Sequence, residues 1–315
     1  HVDNNGNLWI GTWGGGLNRY DYINDQFHRY KHDNNKKNCI AGDSINDIQE
    51  DREGNLWLAV RLKGLDRLNP ENNTFYHYSR QENNTNSLSS NDLDELLIDT
   101  HNNLWIGCWY GGLNKLNLNE SRSYKPDKAH FTKYLLEKEE KNKTYQNVIT
   151  LYEDMNQTVW IGTHKGLGLG KYNPSQDKIK FVDQFKESKI LSIVENKENE
   201  LWIGTNSGLI IYNHKTGENR VHRNELHMPH SISNNRVLCI MKDNSNILWV
   251  GTQVGLNKYV NKKFKHYKTT GFQNNQNNVM CFAQGSKDEL FVGNWVAGIK
   301  KYNIAPDHTL RPVSS

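Results

Sequence analysis

A pair made of one aliphatic residue and one tryptophan recurs along the whole chain, and this repeat limits the possible folds more than any other feature. Six copies are intact and a seventh carries phenylalanine, with successive aromatic positions 42 to 55 residues apart. The copies are Leu8-Trp9, Leu56-Trp57, Leu104-Trp105, Val159-Trp160, Leu201-Trp202, Leu248-Trp249 and Leu290-Phe291. Such a period is typical of repeat architectures, in which each unit buries its faces against the next.

Other positions repeat in register with this aromatic anchor. A small-residue step follows the anchor, as in Gly11-Thr12, and a Gly-Leu or Gly-Ile step comes next, as in Gly16-Leu17. The position six residues before the anchor carries Asp3, Asp51, Asp99, Asp154, Asn196, Asp243 and Gly285. Because seven copies agree at several positions, we interpret them as one structural unit repeated seven times.

Each unit is predicted to form four short antiparallel strands, A to D. Strand A is the apolar run before the aspartate, and the Asp-x-x-Gly-Asn stretch is a turn that suits aspartate and glycine. Strand B carries the anchor and is apolar on both faces, as expected of a strand between neighbouring sheets. Strand C follows the Gly-Leu step, and strand D usually carries an aromatic pair three residues apart.

Four strands in about 45 residues, seven times over, predict an all-β fold, a seven-bladed β-propeller with four-stranded antiparallel blades. The anchor tryptophans then belong to the core. We expect residues 1–315 to form a single propeller domain, a fragment of a larger sensor protein, although the length alone would also fit two domains.

The first blade is expected to be incomplete, because only His1 and Val2 precede Asp3. Either this blade has three strands, or the C-terminal tail moves inward to supply the innermost one. In the parent protein the missing strand would come from residues upstream or downstream.

Composition argues against several other classes of protein. Hydrophobic residues make up 35% of the chain, but the net charge is only +4, which is unlike an intrinsically disordered protein. No apolar run approaches the ~18 residues of a membrane span, and the even spread of charge gives little reason to expect nucleic-acid binding. The four cysteines lie far apart, which indicates neither a disulfide scaffold nor a zinc site.

The Asp-x-x-Gly-Asn-Leu-Trp-Ile-Gly-Thr motif, followed by Gly-Gly-Leu-Asn-Arg-Tyr-Asp, resembles the two-component regulator propeller repeat. The resemblance covers the whole chain and is closest from Asp3 to Asp21. The second unit departs from the pattern at Ala59-Val60-Arg61, and the seventh departs at Gly285 and Phe291.

This resemblance implies the periplasmic sensor region of a hybrid two-component receptor from Bacteroides-type bacteria, which commonly responds to glycan breakdown products. The implied function is non-catalytic ligand sensing, with the signal passed to a membrane-bound kinase. The implied partners are an oligosaccharide ligand, the remaining receptor domains and a second copy of the chain. No nucleic acid and no membrane contact are expected for this segment.

The residue after each small-residue step varies far more than its surroundings, and it falls in the loop between strands B and C. Recognition is usually placed in variable loops on a rigid scaffold. Aromatic faces stack on sugar C–H groups while planar polar side chains bond hydroxyls, so this composition suits carbohydrate. The alternative is that the tryptophans only plug the mouth of the channel. The candidate ligand-binding residues are Trp13, Arg61, Trp109, Tyr110, His164, Asn206, Gln253 and Trp295.

Polar residues at the starts of strand A would line the same face, or would simply cap turns. They are Asn46, Asp47, Asn91, Asp92, Asn147 and Asn235.

No catalytic residue, metal ligand or cofactor is predicted. The strand D histidines His28, His77, His222 and His266 fall in four different blades, so they cannot meet at one ion. The Asp-x-x-Gly-Asn turn has its glycine at the fourth position, unlike a calcium-binding loop.

Two other functions remain open. Streptogramin and polysaccharide lyases are also propellers, but they need a histidine–glutamate set at the channel face, where the sequence offers only His164. A scaffold that binds another protein is the third alternative, because tryptophan and arginine also dominate protein interfaces.

Overall fold

The computed structural model describes residues 1–136, 147–164, 166–267, 278–285, 288–295, 297–306 and 309–313. Within these ranges, 27 strands form seven antiparallel sheets. The first four sheets are β1 (Leu8–Gly11), β2 (Leu17–Asp21), β3 (Gln26–Tyr30); β4 (Ile45–Glu50), β5 (Leu56–Val60), β6 (Gly64–Asn69), β7 (Thr74–Tyr78); β8 (Leu93–Ile98), β9 (Asn103–Cys108), β10 (Gly112–Asn117), β11 (Phe131–Tyr134); and β12 (Val148–Glu153), β13 (Val159–Thr163), β14 (Leu169–Asn173), β15 (Lys178–Phe181). The last three are β16 (Ile190–Lys197), β17 (Glu200–Thr205), β18 (Gly208–Asn213), β19 (Asn219–His222); β20 (Val237–Lys242), β21 (Leu248–Thr252), β22 (Gly255–Val260), β23 (Lys263–Tyr267); and β24 (Val279–Gln284), β25 (Glu289–Asn294), β26 (Gly298–Ile304), β27 (Leu310–Pro312).

Each sheet is a meander of strands that are consecutive in the chain, which confirms the predicted seven-bladed β-propeller with four-stranded blades. Short 3-10 helices lie at Ser121–Tyr124 and Asp183–Phe185. Among the described residues, no helix has the length and apolar character needed to cross a membrane.

Blade 1 has three strands, as the sequence predicts, and β1 is its innermost strand. The backbone nitrogen of His1 donates to the Trp9 carbonyl at 3.0 Å, and the Trp9 amide donates to the His1 carbonyl at 2.8 Å. The tail segment Leu310–Pro312 pairs with β26 as the outer strand of blade 7. The first of the two predicted arrangements is therefore the one observed.

The residues group into two compact units. Unit 1 comprises residues 1–153 and 157–187 and holds blades 1 to 4, and unit 2 comprises residues 154–156 and 188–315 and holds blades 5 to 7. That all seven blades form a single domain stays a prediction, and the two units are described separately below.

The anchor tryptophans lie in the core, and the aspartate six residues earlier holds the indole of most of them. Asp51 accepts a hydrogen bond from the Trp57 indole nitrogen at 2.8 Å, and it also accepts the backbone amides of Glu53 and Asn55. The same indole–carboxylate bond joins Asp3 to Trp9, Asp99 to Trp105 and Asp243 to Trp249, at 2.7 to 2.8 Å. The repeated aspartate thus closes a turn and satisfies a buried indole donor at the same time.

Two blades depart from this arrangement in a consistent way. In blade 5, where asparagine replaces the aspartate, Glu200 accepts the Trp202 indole at 3.2 Å. In blade 7 the anchor is Phe291, which has no donor, and Gly285 stands at the aspartate position. The carboxylate is present where a buried indole needs an acceptor and absent where none is needed.

At three junctions within the units, successive blades also meet through the last residue of strand A. Its side chain accepts the amide that follows the turn aspartate of the preceding blade. Glu50 accepts Asn4, Glu153 accepts Thr100, and Gln284 accepts Asn244, each at 2.8 Å. These bonds satisfy turn amides that their own blades leave open.

Candidate functional site

The predicted recognition residues follow strand B, and their backbones are fixed to the start of strand A in the same blade. The amides of Arg61, Trp109 and His164 donate to the carbonyls of Ser44, Asp92 and Asn147 at 2.9 to 3.0 Å. Because these bonds occupy the main chain, the side chains project from the end of the sheet. The surface formed in unit 1 by Trp13, Arg61, Trp109, Tyr110 and His164 is called the aromatic face below.

Trp13 and Arg61 form one half of the aromatic face. The Arg61 guanidinium carbon lies 4.3 Å from the centroid of the Trp13 ring, a cation–π distance. The Trp13 indole nitrogen donates to the side-chain oxygen of Asn46 at 3.0 Å, which sets the orientation of the ring. Even so, 58% of Trp13 is exposed, so much of the indole surface is open to solvent.

Trp109, Tyr110 and His164 form the other half. The Trp109 and His164 rings pack with centroids 5.0 Å apart, and Trp109 is half-buried. Tyr110 is 58% exposed and has a backbone φ of 57°, a left-handed conformation that is uncommon for a non-glycine residue. Its amide donates to the Asn147 side chain at 2.8 Å, which helps to hold this conformation.

Carboxyl groups lie between the two halves, and sequence reasoning missed two of them, Asp94 and Glu95. Asp94 lies close to the Trp109 side chain, which acts to lower its pKa, and it also lies within electrostatic range of Arg61 and Asp92. Burial raises the pKa of Asp94 to about 6. Burial also raises the pKa of Glu95 well above its usual range, and the nearby Asp47 and Asp94 add to this effect.

A β-bulge near the start of strand A recurs in all six four-stranded blades. In blades 2 and 3 the pairing register shifts between Ile45 and Asp47, and between Leu93 and Glu95, so the bulges lie beside these carboxyl groups. Such a bulge redirects side chains at the start of a strand. The Asp47 carboxylate, whose pKa burial raises to about 6, also accepts the Leu96 amide of the next blade at 2.8 Å.

The polar residues predicted at the starts of strand A divide into two groups. Asn91 and Asn235 accept the amides of Arg80 and Asn224 at 2.6 and 2.7 Å, so they close the loops that precede their strands. Asn46 and Asn147 instead bond residues of the aromatic face, as described above. Asn91 and Asn235 therefore cap turns, and Asn46 and Asn147 position residues of the aromatic face.

Unit 2 presents the corresponding positions Asn206, Gln253 and Trp295, all of which are exposed. The amides of Gln253 and Trp295 donate to the carbonyls of Arg236 and Asn278 at 3.1 and 3.2 Å, the same backbone pattern as in unit 1. Trp295 is 55% exposed. Whether these residues contact a ligand stays a prediction.

The titratable groups of the described residues do not form a metal centre, since no three His, Cys, Asp or Glu side chains among them could hold one ion. Two of the strand D histidines have carboxylate partners in their own blades. His28 lies 3.5 Å from Asp21 and His77 lies 2.7 Å from Asp66, whose hydrogen bond raises the pKa of His77.

Parts of the chain match a known family of repeats, and its fold matches several solved structures. The model of the two component regulator propeller matches residues 39–61, 143–165 and 231–253. No curated protein matches the sequence. Among solved structures, the extracellular domain of a putative hybrid two-component system from B. thetaiotaomicron is 18% identical with a TM-score of 0.63, covering 99% of this chain and 49% of that one. A second such extracellular domain is 19% identical with a TM-score of 0.54, covering 98% of this chain and 57% of that one.

A catalytically inactive virginiamycin B lyase from Staphylococcus aureus with quinupristin is also similar, with 12% identity, a TM-score of 0.69 and coverage of 97% and 94%. At these identities the structural similarity establishes the fold alone. The chain spans about half the length of the extracellular domains it matches. Each of the three family matches covers strands A and B of one blade, in blades 2, 4 and 6, so these parts of the chain are similar to two component regulator propeller repeats.

Proposed function

We propose that this propeller is a non-catalytic ligand-sensing module of a periplasmic two-component receptor, and that the aromatic face recognises a soluble, glycan-derived ligand. The observation that carries the proposal is the arrangement of exposed rings beside fixed polar groups. Trp13 and Tyr110 are each 58% exposed, although bonds to neighbouring strands hold the Trp13 side chain and the Tyr110 backbone in place.

This arrangement suits a sugar because rigid aromatic surfaces offer contact area at low entropic cost. The open surfaces of Trp13 and Tyr110 would stack on the C–H faces of pyranose rings. Arg61, His164 and Asp94 would exchange hydrogen bonds with the hydroxyl groups between them. Because the main chain of the turns is already bonded, little ordering would remain for the ligand to induce.

The similar extracellular domains of two-component systems support the sensor part of the proposal. Since the chain spans only about half of those domains, the rest of the receptor would carry the signal onward. Ligand binding would change the contacts between this propeller and the remaining receptor domains, or a second copy of the chain, and would not drive chemistry here.

A binding screen tests the proposal. Oligosaccharides are added to the protein at increasing concentration and the melting temperature is followed, because a ligand at 100 times its Kd stabilises the folded state by about 2.7 kcal/mol. Trp109→Ala should weaken binding of any ligand found at least tenfold, and Trp295→Ala tests the corresponding position of unit 2. Tyr22→Ala is the matched control, since it removes an exposed aromatic ring from a turn outside the aromatic face.

The result that opposes the proposal is a stability effect without a binding effect. If Trp109→Ala lowers the free energy of unfolding by about 3–5 kcal/mol, as truncation of a core aromatic does, the ring fills space and the site hypothesis is wrong. Unchanged affinity both in Trp109→Ala and in Trp13→Ala, which removes one of the proposed stacking rings, would also exclude the aromatic face as the site.

The similarity to virginiamycin B lyase is the reason to test a second candidate function, that of a lyase. His164 and Asp94 both contact Trp109, so an imidazole and a carboxyl group lie on one surface, which the sequence alone did not reveal. Prolonged incubation with quinupristin, followed by chromatography, separates the two functions. A new product that disappears in a His164→Ala variant would establish a lyase, and an unchanged elution profile supports recognition without chemistry.

A further inference from the structure

The loop that joins blade 1 to blade 2, residues 31–44, borders a cavity of about 720 Å³ outside the aromatic face. Small-molecule sites typically measure ~300–1,000 Å³, so the cavity is large enough for a short oligosaccharide. Side chains of the loop and of the outer strand β3 form one wall, and the β6–β7 turn of blade 2 forms the other. The residues that matter here are Arg29, Lys31, His32, Lys36, Asn38 and Asn73.

The loop is held in a defined shape. The Cys39 thiol accepts the Asp33 amide at 3.4 Å and donates to the carbonyls of Asp33 and Lys36 at 3.3 to 3.4 Å. The Asn38 side chain accepts the Phe75 amide at 2.8 Å, which ties the loop to blade 2. The cavity wall is therefore organised before any ligand arrives.

The charge of the cavity is mostly positive and only partly compensated. The only carboxylate among the residues bordering the cavity is Asp33, which pairs with Lys36 at 3.4 Å. The Arg29 Nε donates to the neutral side chain of Asn18 at 3.3 Å. In the described part of the chain, neither Arg29 nor Lys31 forms an ion pair with a carboxylate.

When it is protonated, His32 adds to the positive charge. Its Nδ1 lies 2.8 Å from the Ile40 carbonyl and its Nε2 lies 3.0 Å from the Asn34 side-chain oxygen. Two acceptors favour the doubly protonated ring, and the pKa of His32 is raised by these two bonds.

The equivalent loop of blade 2 shows that the positive charge is not needed to build the structure. The Ser87 hydroxyl makes the same set of bonds as the Cys39 thiol, to the backbone of Gln81 and Asn84. The cavity there measures only about 240 Å³, and no lysine or arginine borders it. The positions of Arg29 and Lys31 are occupied by His77 and Ser79. The same scaffold thus exists with and without the cationic lining.

We propose that the cavity beside the 31–44 loop binds an acidic oligosaccharide, one that carries carboxylate or sulfate groups. Arg29 and Lys31 would pair with the anionic groups, since charge-assisted hydrogen bonds are about twice as strong as neutral ones. The Asn73 carboxamide borders the same space; its oxygen already accepts the Tyr30 hydroxyl, so its NH2 group is the donor that suits a ligand hydroxyl. The Asn38 carboxamide instead bonds the backbone of Phe75 and Asn73 and keeps the cavity wall in place. A site with only cations would suit any anion, and the Asn73 amide favours a polyhydroxylated one.

The test uses a matched pair of probes that differ only in charge. A galacturonate trisaccharide and its fully methyl-esterified form are titrated into the whole chain at about 50 mM salt, where surface charges are weakly screened. Binding of the acid at least tenfold tighter than the ester is expected, with the affinity falling as salt is added. The double variant R29E/K31E should lose at least tenfold in affinity for the acid, while K180E, a charge reversal on the outer strand of blade 4, should leave it unchanged.

Both charge reversals lie at exposed positions, and the melting temperatures of the variants check that folding is intact. Equal affinity for the acid and the ester, equal loss in R29E/K31E and K180E, or no binding of the acid at all would overturn the proposal. Full displacement of the trisaccharide by an equimolar amount of inorganic sulfate would also overturn it, because the cavity would then recognise charge alone. A Trp109→Ala variant that retains this binding distinguishes the cavity from the aromatic face.

Discussion

The bond between the turn aspartate and the anchor indole allows a quantitative prediction, which blade 3 presents most clearly. Asp99 Oδ2 accepts the Trp105 indole at 2.7 Å, and Oδ1 accepts the Asn103 amide at 2.8 Å. Both Asp99 and Trp105 are buried. Asp99→Asn keeps one acceptor for the turn but places an amide donor opposite the indole donor. A hydrogen bond to a charged group contributes about 1.5–3 kcal/mol, so we expect Asp99→Asn to cost about 2 kcal/mol in the free energy of unfolding.

Blade 7, with Phe291 and Gly285, predicts how the two positions depend on each other. Trp105→Phe removes the indole donor, which should itself cost about 1–3 kcal/mol through lost packing and the lost bond. Once the indole donor is gone, the new amide faces only the Asn103 side-chain nitrogen, which donates to Asp99 Oδ2 at 2.9 Å in the wild type, so Asp99→Asn should then cost about 0.5 kcal/mol. The expected coupling between the two substitutions is therefore about 1.5 kcal/mol or more.

Urea unfolding of the wild type, both single variants and the double variant, followed by far-UV circular dichroism, measures this coupling. Fluorescence is unsuitable because one variant removes a tryptophan. Additivity of the two single effects within about 0.5 kcal/mol would refute the reasoning, since independent sites behave in that way. The aspartate would then act through the turn alone.

Three further predictions concern the face, the loops and the contacts between blades. Burial raises the pKa of Asp94 to about 6, so its contribution to stability is largest below pH 4 and is lost as the pH rises through 6. Between pH 4 and 7 the free energy of unfolding of the wild type should fall by on the order of 2 kcal/mol relative to that of D94N. Urea unfolding of both proteins across this pH range measures the difference, and an equal pH dependence in the two would contradict the prediction. Cys39→Ser should change the free energy of unfolding by less than about 0.5 kcal/mol, because Ser87 makes the same bonds at the equivalent position of the next loop. Cys39→Val, which removes these bonds, should cost about 1–2 kcal/mol. Equal effects of the two substitutions in urea unfolding would contradict this prediction. Glu153→Ala should cost about 0.5–1 kcal/mol because water replaces the carboxylate as acceptor for the exposed Thr100 amide and hydroxyl, and faster exchange of the Thr100 amide hydrogen should accompany the loss.

The repeat predicted the blades because the same short-range pattern recurs seven times. Trp57 and Asp51 stand six residues apart, and their partners lie within one turn, so a local pattern suffices to place them. The three-stranded first blade followed in the same way from the few residues before Asp3. The indole bond itself escaped the sequence argument, although the absence of aspartate before Phe291 was a readable signal for it.

The carboxyl cluster of the aromatic face could not be predicted in this way. Asp47 and Glu95 stand 48 residues apart in the sequence and approach each other because strand A of blade 2 packs beside strand A of blade 3. A bulge near the start of strand A recurs in all six four-stranded blades, but the repeat pattern does not reveal it, since the anchor and the turn keep their register across it. The cavity beside Arg29 also depends on a neighbouring blade, because Asn73 of the β6–β7 turn closes it.

The contacts made by Glu50, Glu153 and Gln284 all run in one direction along the chain. In each case the later blade supplies the acceptor and the earlier blade supplies the turn amide. At these three junctions, removal of the later blade would take away the acceptor of a turn amide in the earlier blade. A segment that runs from one Asp-x-x-Gly-Asn turn to the end of the next strand A keeps such an amide together with its acceptor, and this segment cuts across the boundaries of the visible blades.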